Sequence, residues 1–100
     1  MHIITKRRLS DFWENHAAAE KPLKAWYTHV KHAQWQNFAD LKEDFPSADQ
    51  VKRFTVFNIG GNNFRLIVRI EYIQQKVYIR SVMTHAEYDK DRWKDDSWFS

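Results

Sequence analysis

The chain has no cysteine among its 100 residues. That rules out disulfides, thiolate metal sites and a thiol nucleophile, and it fits a reducing, cytoplasmic setting. There is no apolar run approaching a membrane span, and the N-terminus lacks the apolar core of a signal peptide. The expectation is a protein without a membrane segment. Glycine and proline are scarce, two of each, so each one marks a turn or break. Acid is scarce in one region. Between Val51 and Arg80 the only acid is Glu71, against Lys52, Arg53, Arg65, Arg69, Lys76 and Arg80.

Other residues are plentiful. Sixteen per cent of the chain is aromatic, with five tryptophans, and 43% is hydrophobic. One hundred residues make one domain, and large rings offset the small size because each buries a large area. The net charge of +3 says little alone. Its distribution says more: acids flank a basic central stretch, which points to an anionic partner.

That stretch, Val51 to Asp89, reads as three antiparallel strands. Gly60-Gly61-Asn62-Asn63 supplies residues that tolerate positive φ, as a tight hairpin requires. With Gly61-Asn62 as the turn, Ile59 pairs with Phe64, Phe57 with Leu66 and Thr55 with Val68. A second, weaker turn at Gln74-Gln75 pairs Tyr72 with Val77, Ile70 with Ile79 and Leu66 with Met83. Period-2 alternation then gathers Phe57, Ile59, Phe64, Leu66, Val68, Ile70, Tyr72, Val77, Ile79 and Met83 on one apolar face.

The other face mixes Lys52, Phe54, Val56, Asn58, Arg65, Ile67, Arg69, Glu71, Tyr78, Arg80 and Val82. In this register Arg69 lies opposite Arg80, an unfavourable pairing that a phosphate or Glu71 would offset. Val56, Ile67 and Val82 form an aliphatic floor between the charges, so this face is expected to be partly covered.

Upstream, His2–Thr5 is β-prone and reads as a further strand. A helix is expected over 7–19, capped by Thr5 or a neighbour, with Leu9, Phe12, Trp13 and Ala17 facing inward. Lys6, Arg7 and Arg8 at its start are either an exposed basic terminus or a contact for RNA or ribosome. Pro22 at a first helical position opens a second helix, which continues to Ala33 or Trp35 along Leu23, Trp26, Tyr27 and Val30. The two make an αα-hairpin on the sheet. His29 and His32 lack a third ligand, so no metal is expected. Asn37 caps a short third helix with Phe38 and Leu41 inside, and residues 45–49 read as loop. Beyond the last strand, His85 and Tyr88 share one side of a turn if helical. The tail 91–100 reads as irregular and carries Trp93, Trp98 and Phe99, which either fold back on the mixed face or await a partner.

FNIGGNNFRLIV and YIRSVMTHAEYDK, with MHIIT at the start, resemble the HigB family of type II toxin–antitoxin toxins, within the RelE-like mRNA interferases. The resemblance runs from MHIIT through EYDK. It implies a RelE-like α+β fold in a compact single domain, 1–100, with an N-terminal strand and two or three helices packed on one face of an antiparallel β-meander. It also implies cleavage of mRNA, typically on translating ribosomes, and neutralisation by a HigA-type helix-turn-helix antitoxin. The family's basic and aromatic site positions match Arg65, Arg80, His85 and Tyr88.

RNA carries its own 2′-hydroxyl nucleophile, so cleavage needs a base, an acid and cations around the phosphorane, and no cofactor. His85 suits acid–base work near neutrality, Tyr88 suits orienting or stacking, and Arg65 and Arg80 suit phosphate charge. Strand pairing alone brings Arg65 opposite Thr84, beside His85. Lys52, Arg69 and Lys90 are candidate RNA-backbone contacts, while Arg53 falls on the apolar face. Two other readings use the same residues: a non-catalytic RNA- or ribosome-binding module, and a protein-interaction domain for an acidic partner.

Overall fold

Period-2 alternation and the Gly-Gly turn build a five-stranded sheet in the computed structural model, which describes residues 1–100. The strands are β1 (His2–Ile4), β2 (Asp49–Val51), β3 (Phe54–Ile59), β4 (Phe64–Glu71) and β5 (Lys76–Thr84), in spatial order β1-β5-β4-β3-β2. Strands β2 to β5 form an antiparallel meander, and β1 adds in parallel to β5. The helices are α1 (Arg7–Asn15), α2 (Glu20–His32), α3 (Phe38–Asp44) and α4 (His85–Asp89). No helix is long and apolar enough to cross a membrane.

The β3–β4 register is the expected one, including Ile59 with Phe64 and Thr55 with Val68. Positive φ falls on Gly60 and Gly61, within a loop of residues 60–63. The β4–β5 register differs in two ways. First, the loop is Tyr72–Gln75, so Ile70 pairs with Val77 and Val68 with Ile79. Gln75 takes the positive φ, 57°, and its amide Nε2 donates to Trp35 O at 2.7 Å and Tyr72 O at 2.8 Å. Those bonds hold a conformation that glycine would otherwise supply.

Second, Ile67 pairs with Ser81 while Val68 pairs with Ile79, which leaves Arg80 as an unpaired bulge residue. A bulge adds one residue and reverses the facing beyond it. Val82 therefore packs with the helix-side core, and Met83 joins the opposite face. Both assignments are the reverse of the sequence expectation. Arg69 faces Tyr78 rather than Arg80, and Arg65 faces Met83 rather than Thr84. The like-charge rung is thus absent, because the four-residue loop shifts the register by two and brings Tyr78 opposite Arg69.

The helix-side core joins Leu9, Leu23, Trp26, Val30 and Leu41 to Phe57, Leu66, Val68, Val77 and Ile79 of the sheet. α1 ends at Asn15, and a 3₁₀ turn at Ala17–Ala19 leads into α2 at Glu20, earlier than the periodicity suggests. Pro22 explains the break. Its ring would clash with the carbonyl of residue 18 in a continuous helix, whereas the third position of α2 tolerates it. Thr5 does not cap α1: its own φ is 70°, and no side chain caps that end. Asn37 does cap α3, accepting from the Asp40 N–H at 2.9 Å. Asp49–Val51, expected as loop up to residue 49, is strand β2, and Lys52-Arg53 form its turn into β3. Arg53 is therefore exposed in a turn rather than placed on the apolar face.

The opposite face is a second core, built from Phe54, Val56, Ile67, Met83, Trp93 and Phe99. Trp93 sits in a 3₁₀ turn at Arg92–Asp95. The tail folds back and is itself the cover that the aliphatic floor called for.

Candidate active site

α4 begins where β5 ends, and a capping box fixes the junction. Thr84 Oγ1 accepts from Glu87 N–H at 3.2 Å, and Glu87 Oε1 accepts from the Thr84 N–H at 3.0 Å. The Thr84 N–H, joined by the Thr84 hydroxyl at 3.0 Å, holds the Glu87 carboxyl below its ordinary pKa. His85 N–H donates to Asn63 O at 3.0 Å, which ties the start of α4 to the β3–β4 loop. The His85 ring presents Nδ1 to Asp89 Oδ2 at 3.1 Å, one turn along the helix. With Nδ1 so held, Nε2 is the nitrogen left for chemistry.

Tyr88 lies three residues on. Its ring stacks on Trp93 at 5.1 Å, and the Arg65 guanidinium lies 5.4 Å from its centroid. Burial, reinforced by Asp49, pushes the phenol above its ordinary pKa. A phenol so placed is a poor base and a good platform or positioning group.

Arg65 is buried, only 7% exposed. Its Nη1 donates to Phe64 O at 3.1 Å and Asn62 O at 3.3 Å, and Nη2 donates to Asn62 Oδ1. It therefore organises the β3–β4 loop while pressing on Tyr88. Arg65, His85 and Tyr88 converge at one end of the sheet.

The remaining predicted residues spread out. Arg80 makes a bidentate pair with Asp96, Nε to Oδ2 at 2.8 Å and Nη2 to Oδ1 at 2.9 Å, and Trp98 covers it at 3.9 Å. Arg69 pairs with Glu71 at 3.1 Å. Lys52 lies over Phe99 at 5.0 Å. Lys90 and Arg92 line a groove of about 350 Å³ beside Val82, Met83, Glu87 and Trp93. The mixed face is thus no open phosphate cradle, because Arg69 and Arg80 already hold carboxylates of this chain. The basic start of α1 is also occupied internally. Arg8 Nη1 donates to Ile79 O at 3.3 Å and to Arg80 O, and Lys6 lies 4.5 Å from the Tyr27 ring centroid. On α2, His29 is taken by Asp44 at 3.2 Å.

Comparison with known proteins decides the family. Residues 19–91 match the family described as HigB_toxin, RelE-like toxic component of a toxin-antitoxin system. The "mRNA interferase toxin HigB" of Escherichia coli (strain K12) is 38% identical over 92 residues, covering 89% of this chain and 88% of that protein. The "mRNA interferase HigB" of Shigella flexneri matches equally, and that of Escherichia coli O6:H1 is 28% identical over 93 residues. The chain belongs to the HigB toxin family.

The α+β fold of a RelE-like HigB toxin is what the sequence led us to expect. The HigB family match ends at residue 91, so the segment carrying Trp93, Asp96, Trp98 and Phe99 lies outside it, and that segment neutralises Arg80. Sequence reasoning also missed His16. This residue follows α1 and stacks on Phe12 with centroids 4.1 Å apart and planes 3° from parallel. Its ring meets Phe64 edge-on at 6.2 Å. Phe64 is the cross-strand partner of Thr84, so His16 borders the same end of the sheet as His85. The available signal was spacing: His16 stands seven residues after Leu9, in line with the apolar stripe of α1.

Proposed function

We propose that this HigB-family chain is the toxin of a type II toxin–antitoxin pair. It cleaves mRNA in the cytoplasm, on translating ribosomes, and so arrests growth until a HigA-type helix-turn-helix antitoxin neutralises it. One observation carries the reading: His85, ordered through Asp89, stands beside Tyr88 and Arg65 at the open end of the sheet in a member of a toxin family whose relatives are named mRNA interferases.

Cleavage uses the RNA 2′-hydroxyl as nucleophile, with no metal required. The 2′-oxygen attacks phosphorus, and the P–O5′ bond breaks. The products are a 2′,3′-cyclic phosphate and a 5′-hydroxyl. His85 Nε2 takes the 2′ proton. Arg65 offers positive charge to the phosphorane and holds Tyr88, which orients or stacks a nucleotide. Arg80 joins when a substrate phosphate displaces Asp96 from its guanidinium. Lys90, in the groove beside α4, follows the RNA backbone, and Lys52 and Arg69 join it once the tail moves off the mixed face.

The test is induced expression of wild type and His85→Ala in translating cells, with mRNA 5′ ends mapped. New ends inside coding regions, absent with the variant, are expected. If wild type yields no new ends while arresting translation, the protein is an RNA- or ribosome-binding module and the nuclease reading fails.

A further inference from the structure

We infer that His16 is the general acid of the cleavage reaction, a catalytic residue complementary to His85. This rests on the nuclease reading above.

The geometry around His16 goes beyond packing. Its ring is clamped between α1 and β4, flat on Phe12 and edge-on to Phe64. Nδ1 lies 3.3 Å from Phe12 O. A carbonyl only accepts, so this contact places the proton on Nδ1 and leaves Nε2 as the reactive nitrogen. The residue is half-buried, in contact with both core and solvent.

Glu87 supplies the electrostatics. Its carboxyl is fixed as an anion by the Thr84 capping box, and it feels the charge of His16. Thr84 connects the parts: it pairs with Phe64 under His16, binds Glu87, and immediately precedes His85. Two imidazoles thus border one rung of the sheet, one on the helix side and one on the loop side.

The proton balance closes without another reactant. His85 receives the 2′-hydroxyl proton as the 2′-O–P bond forms. His16 gives its proton to the 5′-oxygen as the P–O5′ bond breaks. Exchange with water restores both.

The test uses the full chain in a translating system, with an mRNA carrying one bridging 5′-sulfur at its mapped cut site. A thiolate leaves without a proton, so loss of the acid should not matter there. His16→Phe keeps an aromatic ring between Phe12 and Phe64, and His16→Gln is a second variant should the first melt early. The expected result is about a 100-fold or greater loss on ordinary mRNA, with the sulfur-substituted mRNA cut within about threefold of the wild-type rate. His85→Phe should stay slow on both. Equal deficits on both substrates in a folded His16 variant, or wild-type rates on ordinary mRNA, overturn the inference and leave the nuclease reading intact. Failure of the wild-type protein to cut either substrate overturns both.

Discussion

Replacing Asp96 by Asn tests whether the tail is fastened by charge. The Arg80–Asp96 pair has two charge-assisted hydrogen bonds, at 2.8 and 2.9 Å. The two side chains are 19% and 20% exposed, so water screens them less than a surface pair. Such bonds contribute about 1.5–3 kcal/mol each when buried, whereas an exposed ion pair contributes under ~1 kcal/mol. A coupling of about 1–3 kcal/mol sits between these limits. The assay is a double-mutant cycle: wild type, Asp96→Asn, Arg80→Gln and the double variant, each unfolded in urea and followed by tryptophan fluorescence. For a domain of this size each kcal/mol moves the melting temperature by roughly 4–8 °C.

The pH dependence has a fixed sign. Hydrogen bonds from Arg80 hold the Asp96 carboxyl below its ordinary pKa. A depressed carboxyl contributes stability that is complete above the unfolded value, ~3.9, and is lost as pH falls through the lower folded value. The gap between wild type and Asp96→Asn should therefore close in acid. A coupling below ~0.5 kcal/mol, or a gap unchanged by acid, would refute the argument.

Two further outcomes concern the site itself. Thr84→Ala removes the side-chain half of the capping box and should cost about 1 kcal/mol; because α4 carries His85, cleavage should fall more than this stability loss explains, as read by comparing urea midpoints with single-turnover rates. Arg65→Met should cost about 1–3 kcal/mol, since it strips the β3–β4 loop of three hydrogen bonds, while Arg65→Lys keeps the charge without the fork. Thermal melts of both, beside toxicity assays, separate loop support from phosphate binding, and equal toxicity of Lys, Met and wild type would remove Arg65 from the site.

Period-2 alternation was enough to find the meander, its helix-side face and the β3–β4 register. The helix stripes and the Asn37 cap were equally legible. The bulge at Arg80 was not, because no glycine or proline marks it. One inserted residue there exchanged Val82 with Met83, while the four-residue β4–β5 loop, longer than the sequence suggested, dissolved the Arg69–Arg80 rung. β2 escaped because three residues carry too little alternation, and two of them, Asp49 and Gln50, are exposed polar groups. At the candidate site, spacing and resemblance were enough to propose His85 and Tyr88. His16 was not, because it meets Phe64 only through tertiary packing.

The acidic flank that follows the basic meander, which looked like a contrast to it, turns out to supply its internal partners. Asp96 from the tail takes Arg80, and Asp89 and Glu87 from α4 order His85 and Thr84. Trp93 and Phe99 meanwhile seal the mixed face as a second core. The sheet is therefore apolar on both sides, and its surfaces cannot serve as an RNA platform without moving the tail. Its end can. There the β3–β4 loop, α4 and the end of α1 present His85, Tyr88, Arg65 and His16 around the Phe64–Thr84 rung. Arg80 lies along the mixed face rather than at that end, so RNA that extends from the end over the tail has to compete with Asp96 for Arg80. On this argument Asp96→Asn, which keeps the carboxylate's shape but drops its charge, should bind RNA more tightly while melting earlier. Earlier melting with weaker RNA binding would instead show that the tail is part of the binding surface.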